Sequence, residues 1–171
     1  MKMLDFSKID FQKHIVQLPT GTILYRIVHP GVDLLKASGR TMRFVTEPPG
    51  FNAGGYVPGI VSAGSGVFCF SSSLETARLE AKRENNDEYQ VILNEPLDAH
   101  DLDSICREQG IGDLYMQELE DKNFTQFYGT KIKSLRHKSK ENPNSYNVVI
   151  FSDWFPEFNK MVTVERLTKE G

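Results

Sequence analysis

Residues 67–84 read VFCFSSSLETARLEAKRE. The apolar run VFCF, residues 67–70, predicts a buried strand. Residues 71–84 predict a helix. Leu74, Ala77 and Ala81 form an apolar stripe, and Ser72 with Glu75 three residues later fits a capping box. No glycine fingerprint separates this strand from this helix, and the chain carries no Walker loop. The passage from strand to helix is therefore not the phosphate cradle of a doubly wound nucleotide-binding fold.

Outward from this stretch, strands and helices mix without regular βαβα alternation. Residues 22–28, TILYRIV, alternate as a strand and are broken by His29-Pro30-Gly31. A short strand is expected over 41–45. Residues 47–66 are rich in Gly and Pro and read as a long loop. Further strands are expected at 89–93 (YQVIL), 132–135, 146–152 (YNVVIFS) and 161–167. Helices are expected at 100–110 and 113–128, with a turn at 141–145. Residues 1–18 read as a mixed, partly helical lead-in. The class is α+β, with a mostly antiparallel, split β-sheet and flanking helices.

The 171 residues match one ordinary domain, and 39% are hydrophobic, with 11 Phe and 6 Tyr. That composition excludes a disordered chain. The net charge of −3, with both signs mixed, argues against a dedicated nucleic-acid binder. The two cysteines, Cys69 and Cys106, make no disulfide framework and fit a reduced cytoplasmic setting. The first residues, MKMLDFSKIDFQKHIVQL, interrupt any apolar run with Asp and Lys, so no signal peptide is expected. No stretch approaches the roughly 20 apolar residues that span a bilayer. His14, His29, His100 and His137 are scattered without ligand spacing, so no metal site is expected.

Several residues break local rules. Arg26 shares a strand face with Leu24 and Val28, where a guanidinium is costly unless paired. Its planar donors suit a phosphate or carboxylate; the plain alternative is a structural ion pair or an exposed face. Glu80 lies at the edge of the helical stripe, among charges that otherwise read as a solvated face. Arg43 with Phe44 precedes the Gly/Pro-rich loop. Ser134 sits in a basic segment, and Arg136 shares its face on a strand.

In this order, these features resemble the RES domain, a family named for Arg, Glu and Ser. The "xYRI" element is LYRI, with Arg26. The "GRW/F" element has its nearest match in TMRF, with Arg43 and Phe44, while Gly39-Arg40 supplies a Gly-Arg pair without the aromatic. "SxxxAxxE" matches SLETARLE from Ser73, giving Ala77 and Glu80. "GIRYPSxR" followed by "NxxLF" matches GTKIKSLR and NVVIF, giving Gly129, Ser134, Arg136, Asn147 and Phe151. The family's strand tyrosine falls on Cys69. A shift of one residue brings in Phe68 or Phe70, and Phe70 is the expected ring.

The resemblance covers about residues 22–152 of a single domain, 1–171. It implies an ADP-ribosyltransferase-like fold and an enzyme that cleaves the nicotinamide–ribose bond of NAD⁺, a toxin with a cognate antitoxin or immunity protein. It implies Glu80 and Arg26 as catalytic residues. Arg26, Arg43, Phe70, Ser134 and Arg136 would bind NAD⁺, the substrate, with no metal. The toxin would act in the cytoplasm, of its own cell or of a target cell after delivery. Two other readings stand beside it. One is an ADP-ribosyltransferase modifying a protein or nucleic acid. The other is a non-enzymatic nucleotide- or partner-binding module. Transferases often carry an acid two positions before the catalytic Glu, and here that position is Arg78.

Overall fold

The fold is described from a computed structural model, over residues 4–31, 43–44, 66–81, 85–112, 130, 132–151 and 154–167. Nine strands are described: β1 (Ile15–Leu18), β2 (Ile23–Val28), β3 (Arg43–Phe44), β4 (Gly66–Ser71), β5 (Asp87–Leu93), β6 (Leu97–Asp101), β7 (Ser134–Lys138), β8 (Tyr146–Phe151) and β9 (Val162–Arg166). Three helices accompany them: α1 (Leu74–Ala81), α2 (Leu102–Gln109) and α3 (Phe155–Lys160). The strands form one sheet in the order β1-β6-β7-β8-β4-β2-β5-β9, with β3 pairing β4. Only the β6–β7 pair is parallel. The class is thus α+β with a mostly antiparallel sheet.

The sheet is nearly split at its centre. Six residue pairs register β2 with β5, and five register β4 with β8. A single pair, Tyr25↔Ser71, joins β2 to β4.

Strand β8 explains the core. It is buried on both faces, so VVIF reads as a continuous apolar run rather than an alternating one. Val148 and Ile150 join Leu24, Val28, Phe68 and Phe70 on one face, closed by Phe155 and Phe158 of α3. Phe68 stacks on Phe155 with ring centroids 3.5 Å apart. Val149 and Phe151 point the other way, to Leu135 and to Leu102, Ile105 and Cys106 of α2. Burying one such Phe contributes about 1.5–3 kcal/mol relative to exposure, so Phe155→Ala would open the first core.

Several expectations shift in detail. The helix expected over 100–110 is preceded by strand β6, which carries Leu97 and Ala99 inward. Asp101 ends that strand and caps α2, its carboxylate accepting from the Asp103 N–H at 3.1 Å. The last helical turn stops at Gly110, whose φ of 67° is the left-handed conformation that glycine adopts freely. Residues 1–18 resolve into two 3₁₀ turns (Phe6–Lys8 and Phe11–His14) and edge strand β1. The cap of α1 is Ser73, whose hydroxyl accepts from the Thr76 N–H at 3.3 Å. Ser72 instead accepts from the N–H of Tyr146 at 2.9 Å. The expected loop 47–66 up to residue 65, the helix at 113–128 and Gly129 lie outside the described residues.

Candidate functional site

The gap between β2 and β4 is where the site forms. A cavity of about 220 Å³ opens there, and Tyr25, Arg26, Phe70, Ser71 and Glu80 are among its lining residues. Strand alternation puts Arg26 on the face of Phe68 and Phe70. The guanidinium carbon lies 5.6 Å from the Phe68 ring centroid and 5.5 Å from that of Phe70. Its Nη1 donates to the carbonyl oxygen of Cys69 at 3.3 Å. Rings on this side favour a cation and exclude water. Burial pulls the guanidinium down to about 10, well below its ordinary value, with neighbouring Cys69 opposing the shift. It remains charged at neutral pH.

Glu80 approaches from the opposite face of the sheet. It projects from the last turn of α1, which packs over β2 and β4. Its Oε1 accepts twice, from Ser139 Oγ at 2.7 Å and from Asn147 Nδ2 at 2.9 Å. Both donors take the same oxygen, so Oε2 is left for whatever enters the cavity. Asn147 stands on β8 directly beside Ser71, one of the β4 residues that line the cavity. The gap therefore brings a half-buried cation and an oriented carboxylate to one cavity from two sides of the sheet.

The structure joins three of the expected residues, Arg26, Glu80 and Phe70. Phe70 lines the cavity but is only 2% exposed, its ring centroid 5.4 Å from that of Phe158. Cys69 lines the cavity too. Ser134 lies elsewhere. It is wholly buried on β7, and its hydroxyl donates to the carbonyl of Asp98 at 3.3 Å. Arg136 lies over the Tyr146 ring, 4.1 Å from its centroid, and does not line the cavity. The backbone of Arg43 pairs with Val67 at the start of β4.

The residues that hold Glu80 were partly missed. Asn147 belongs to the motif match, whereas Ser139 lies outside it. The signal for it was present: Arg136-His137-Lys138-Ser139 keeps the three-residue spacing between Arg and Ser in "GIRYPS". In that register Ser139 would take the motif place that the match above gives to Ser134. Ser139 is wholly buried and reaches Glu80 across 59 residues of sequence.

A second cleft of about 520 Å³ lies at the far ends of β5 and β9. Its carboxylates are committed: Asp87 to Arg166 and to the N–H of Gly31, and Glu88 to both Nε and Nη2 of Arg78. Among the described residues no group of three or more His, Cys, Asp or Glu is placed to hold a metal ion, and no helix is long and apolar enough to cross a membrane.

No protein-family model matches this sequence, and no curated protein matches it. The RES resemblance rests on the sequence motifs alone.

Proposed function

We propose that this chain is a RES-like NAD⁺ glycohydrolase. The observation that carries the reading is the pairing in one cavity of Arg26 with a Glu80 carboxylate anchored through a single oxygen. Breaking the bond between nicotinamide and C1′ of the ribose places oxocarbenium character on the sugar, as in glycoside hydrolysis. Oε2 of Glu80 accepts a hydrogen bond from a ribose hydroxyl and stabilises that developing charge. Water attacks C1′, nicotinamide leaves with the bonding pair, and ADP-ribose and a proton are the other products. Arg26 offers its forked donors to the pyrophosphate.

The cavity is smaller than the roughly 300–1,000 Å³ typical of ligand pockets, so its described walls seat one end of the dinucleotide. Arg78, two residues before Glu80, is turned to Glu88 in a two-point ion pair. No acid stands there to position a macromolecular acceptor, which favours water over protein or nucleic acid. An NAD⁺-consuming enzyme endangers the cell that makes it. The reading therefore includes a toxin role in the cytoplasm, with an antitoxin or immunity protein as partner. The test follows nicotinamide and ADP-ribose released from NAD⁺ by the purified chain. Equal release of both supports hydrolysis. Nicotinamide without free ADP-ribose supports transfer, and no release in the presence of NAD⁺ binding removes the enzyme reading.

A further inference from the structure

The donors that hold Glu80 belong to a larger polar assembly. Between β7 and β8 the chain turns through residues 139–145, SKENPNS, which follow the basic segment that ends β7. The turn closes on itself: the Ser139 N–H donates to the Ser145 carbonyl at 2.9 Å, and the Ser145 N–H donates to that of Asn142 at 2.9 Å. The Asn142 N–H donates to Ser139 Oγ at 3.3 Å, which fixes the hydroxyl that donates to Glu80.

The same turn grips α1 a second time. Thr76 lies one helical turn before Glu80, on the same helix face, and is wholly buried. Its Oγ1 accepts from Asn142 Nδ2 at 3.1 Å. The Ser145 hydroxyl shares its proton between Thr76 Oγ1, at 2.9 Å, and the Asn142 carbonyl, at 3.1 Å. Two points of attachment, at Thr76 and Glu80, fix both the rotation and the axial position of a helix only eight residues long. A short helix has little stability of its own, so its place is set by tertiary contacts. The helix does not contribute many apolar anchors: among its residues Thr76 and Ala77 are buried, and Leu79 is 50% exposed.

We propose that Thr76 and Asn142 are positioning residues, which lock α1 onto the β7–β8 turn and so hold the free oxygen of Glu80 at the cavity. This rests on the glycohydrolase reading for its activity readout. Neither residue touches the substrate. Both act through the helix and through the Ser139 hydroxyl. An error of about 1 Å in the placement of a catalytic group costs on the order of 100-fold in rate, so the lock is expected to appear in kcat and not in KM.

The test compares Thr76→Val, which keeps shape and loses the hydroxyl, with Thr76→Ser, which keeps the hydroxyl and loses a methyl. Thr76→Val is expected to lower kcat for NAD⁺ cleavage by about 10–100-fold with KM within about twofold. Thr76→Ser and wild type are expected to match, and Asn142→Ala to follow Thr76→Val. Wild-type kcat in a folded Thr76→Val protein overturns the proposal. So does the reverse ranking, with Ser impaired and Val normal, because that ranking belongs to packing.

Hydrogen exchange at the α1 amides is measured on wild type, Thr76→Val and Thr76→Ser without NAD⁺. Faster exchange in Thr76→Val alone is expected, and equal exchange in all three overturns the lock. If wild type releases no nicotinamide, the glycohydrolase reading fails while the exchange result still decides the lock.

Discussion

Asn147, on β8, donates its side-chain amide to Oε1 of Glu80, on α1, at 2.9 Å. The bond ties the most buried strand of the sheet to the only carboxylate that lines the β2–β4 cavity among the described residues. It also fixes the amide orientation of Asn147, since a flipped amide would set oxygen against carboxylate.

Replacing Asn147 by Leu keeps the volume and removes this donor. A carboxylate oxygen that loses one of two donors in a half-buried place costs about 1–3 kcal/mol of stability. Cleavage of NAD⁺ is expected to fall about tenfold or more in kcat. Denaturant melts and steady-state rates on one preparation check both. Unchanged kcat in the folded variant would show that the Asn147 bond does not orient Glu80 for chemistry.

Ser139 and Ser134 make a second contrast. Ser139→Ala removes the 2.7 Å bond to Glu80, whereas Ser134→Ala removes only a 3.3 Å bond to a backbone carbonyl. Turnover is expected to drop about tenfold or more in Ser139→Ala and to remain near wild type in Ser134→Ala. The opposite ranking would make Ser134, and not Ser139, the serine that turnover needs.

Arg26 should reveal a trade between stability and function. Burial holds its folded pKa down at about 10, below its ordinary value. The unfolded chain therefore binds this proton more tightly. The resulting penalty on folding is constant below about pH 10 and shrinks only as pH rises from there towards the ordinary guanidinium value. Arg26→Met removes the charge and fills the space between Phe68 and Phe70. Stability is expected to stay level or rise, by up to about 4 kcal/mol, equally across the neutral range, while NAD⁺ cleavage is lost. Strong destabilisation together with retained turnover would refute this role.

His100 carries a pH dependence of the opposite end of the scale. Desolvation lowers its pKa from 6.5, outweighing the Ser134 backbone bond and Asp98, which raise it; nearby His14 lowers it further. Below pH 6.5 the unfolded state takes up a proton that the folded state resists, so stability falls as pH falls through 6.5. His100→Gln should flatten that part of the stability curve. Thermal melts of both proteins across pH 7 to 5 check it, and parallel curves would exclude His100 as a source of the acid sensitivity.

The sequence made β2, β4 and β8 legible because each is an apolar or alternating run bounded by polar or turn residues. Strand β6 was hidden because Asp101 both ends it and caps the next helix. The cap of α1 slipped by one position because Ser71, Ser72 and Ser73 are equivalent in composition, and only the fold chooses among them. Arg26 and Glu80 were legible as misplaced charges within ordinary patterns. Their meeting was implied only by the family resemblance and not by local pattern, because it depends on a gap between strands that pair at one residue only. Thr76 and Asn142 carried no signal, since a threonine in a helix and an asparagine in a turn break no local rule.

The central claim concerns Glu80, and one measurement tests it most directly. Purified wild type and Glu80→Gln are incubated with NAD⁺, and free nicotinamide and ADP-ribose are followed by chromatography. The account predicts equimolar release by wild type and a loss of about 100–1,000-fold in kcat for Glu80→Gln, which keeps the size of the side chain and removes its charge. Equal release by both proteins, or none by a folded wild type that binds NAD⁺, would contradict it.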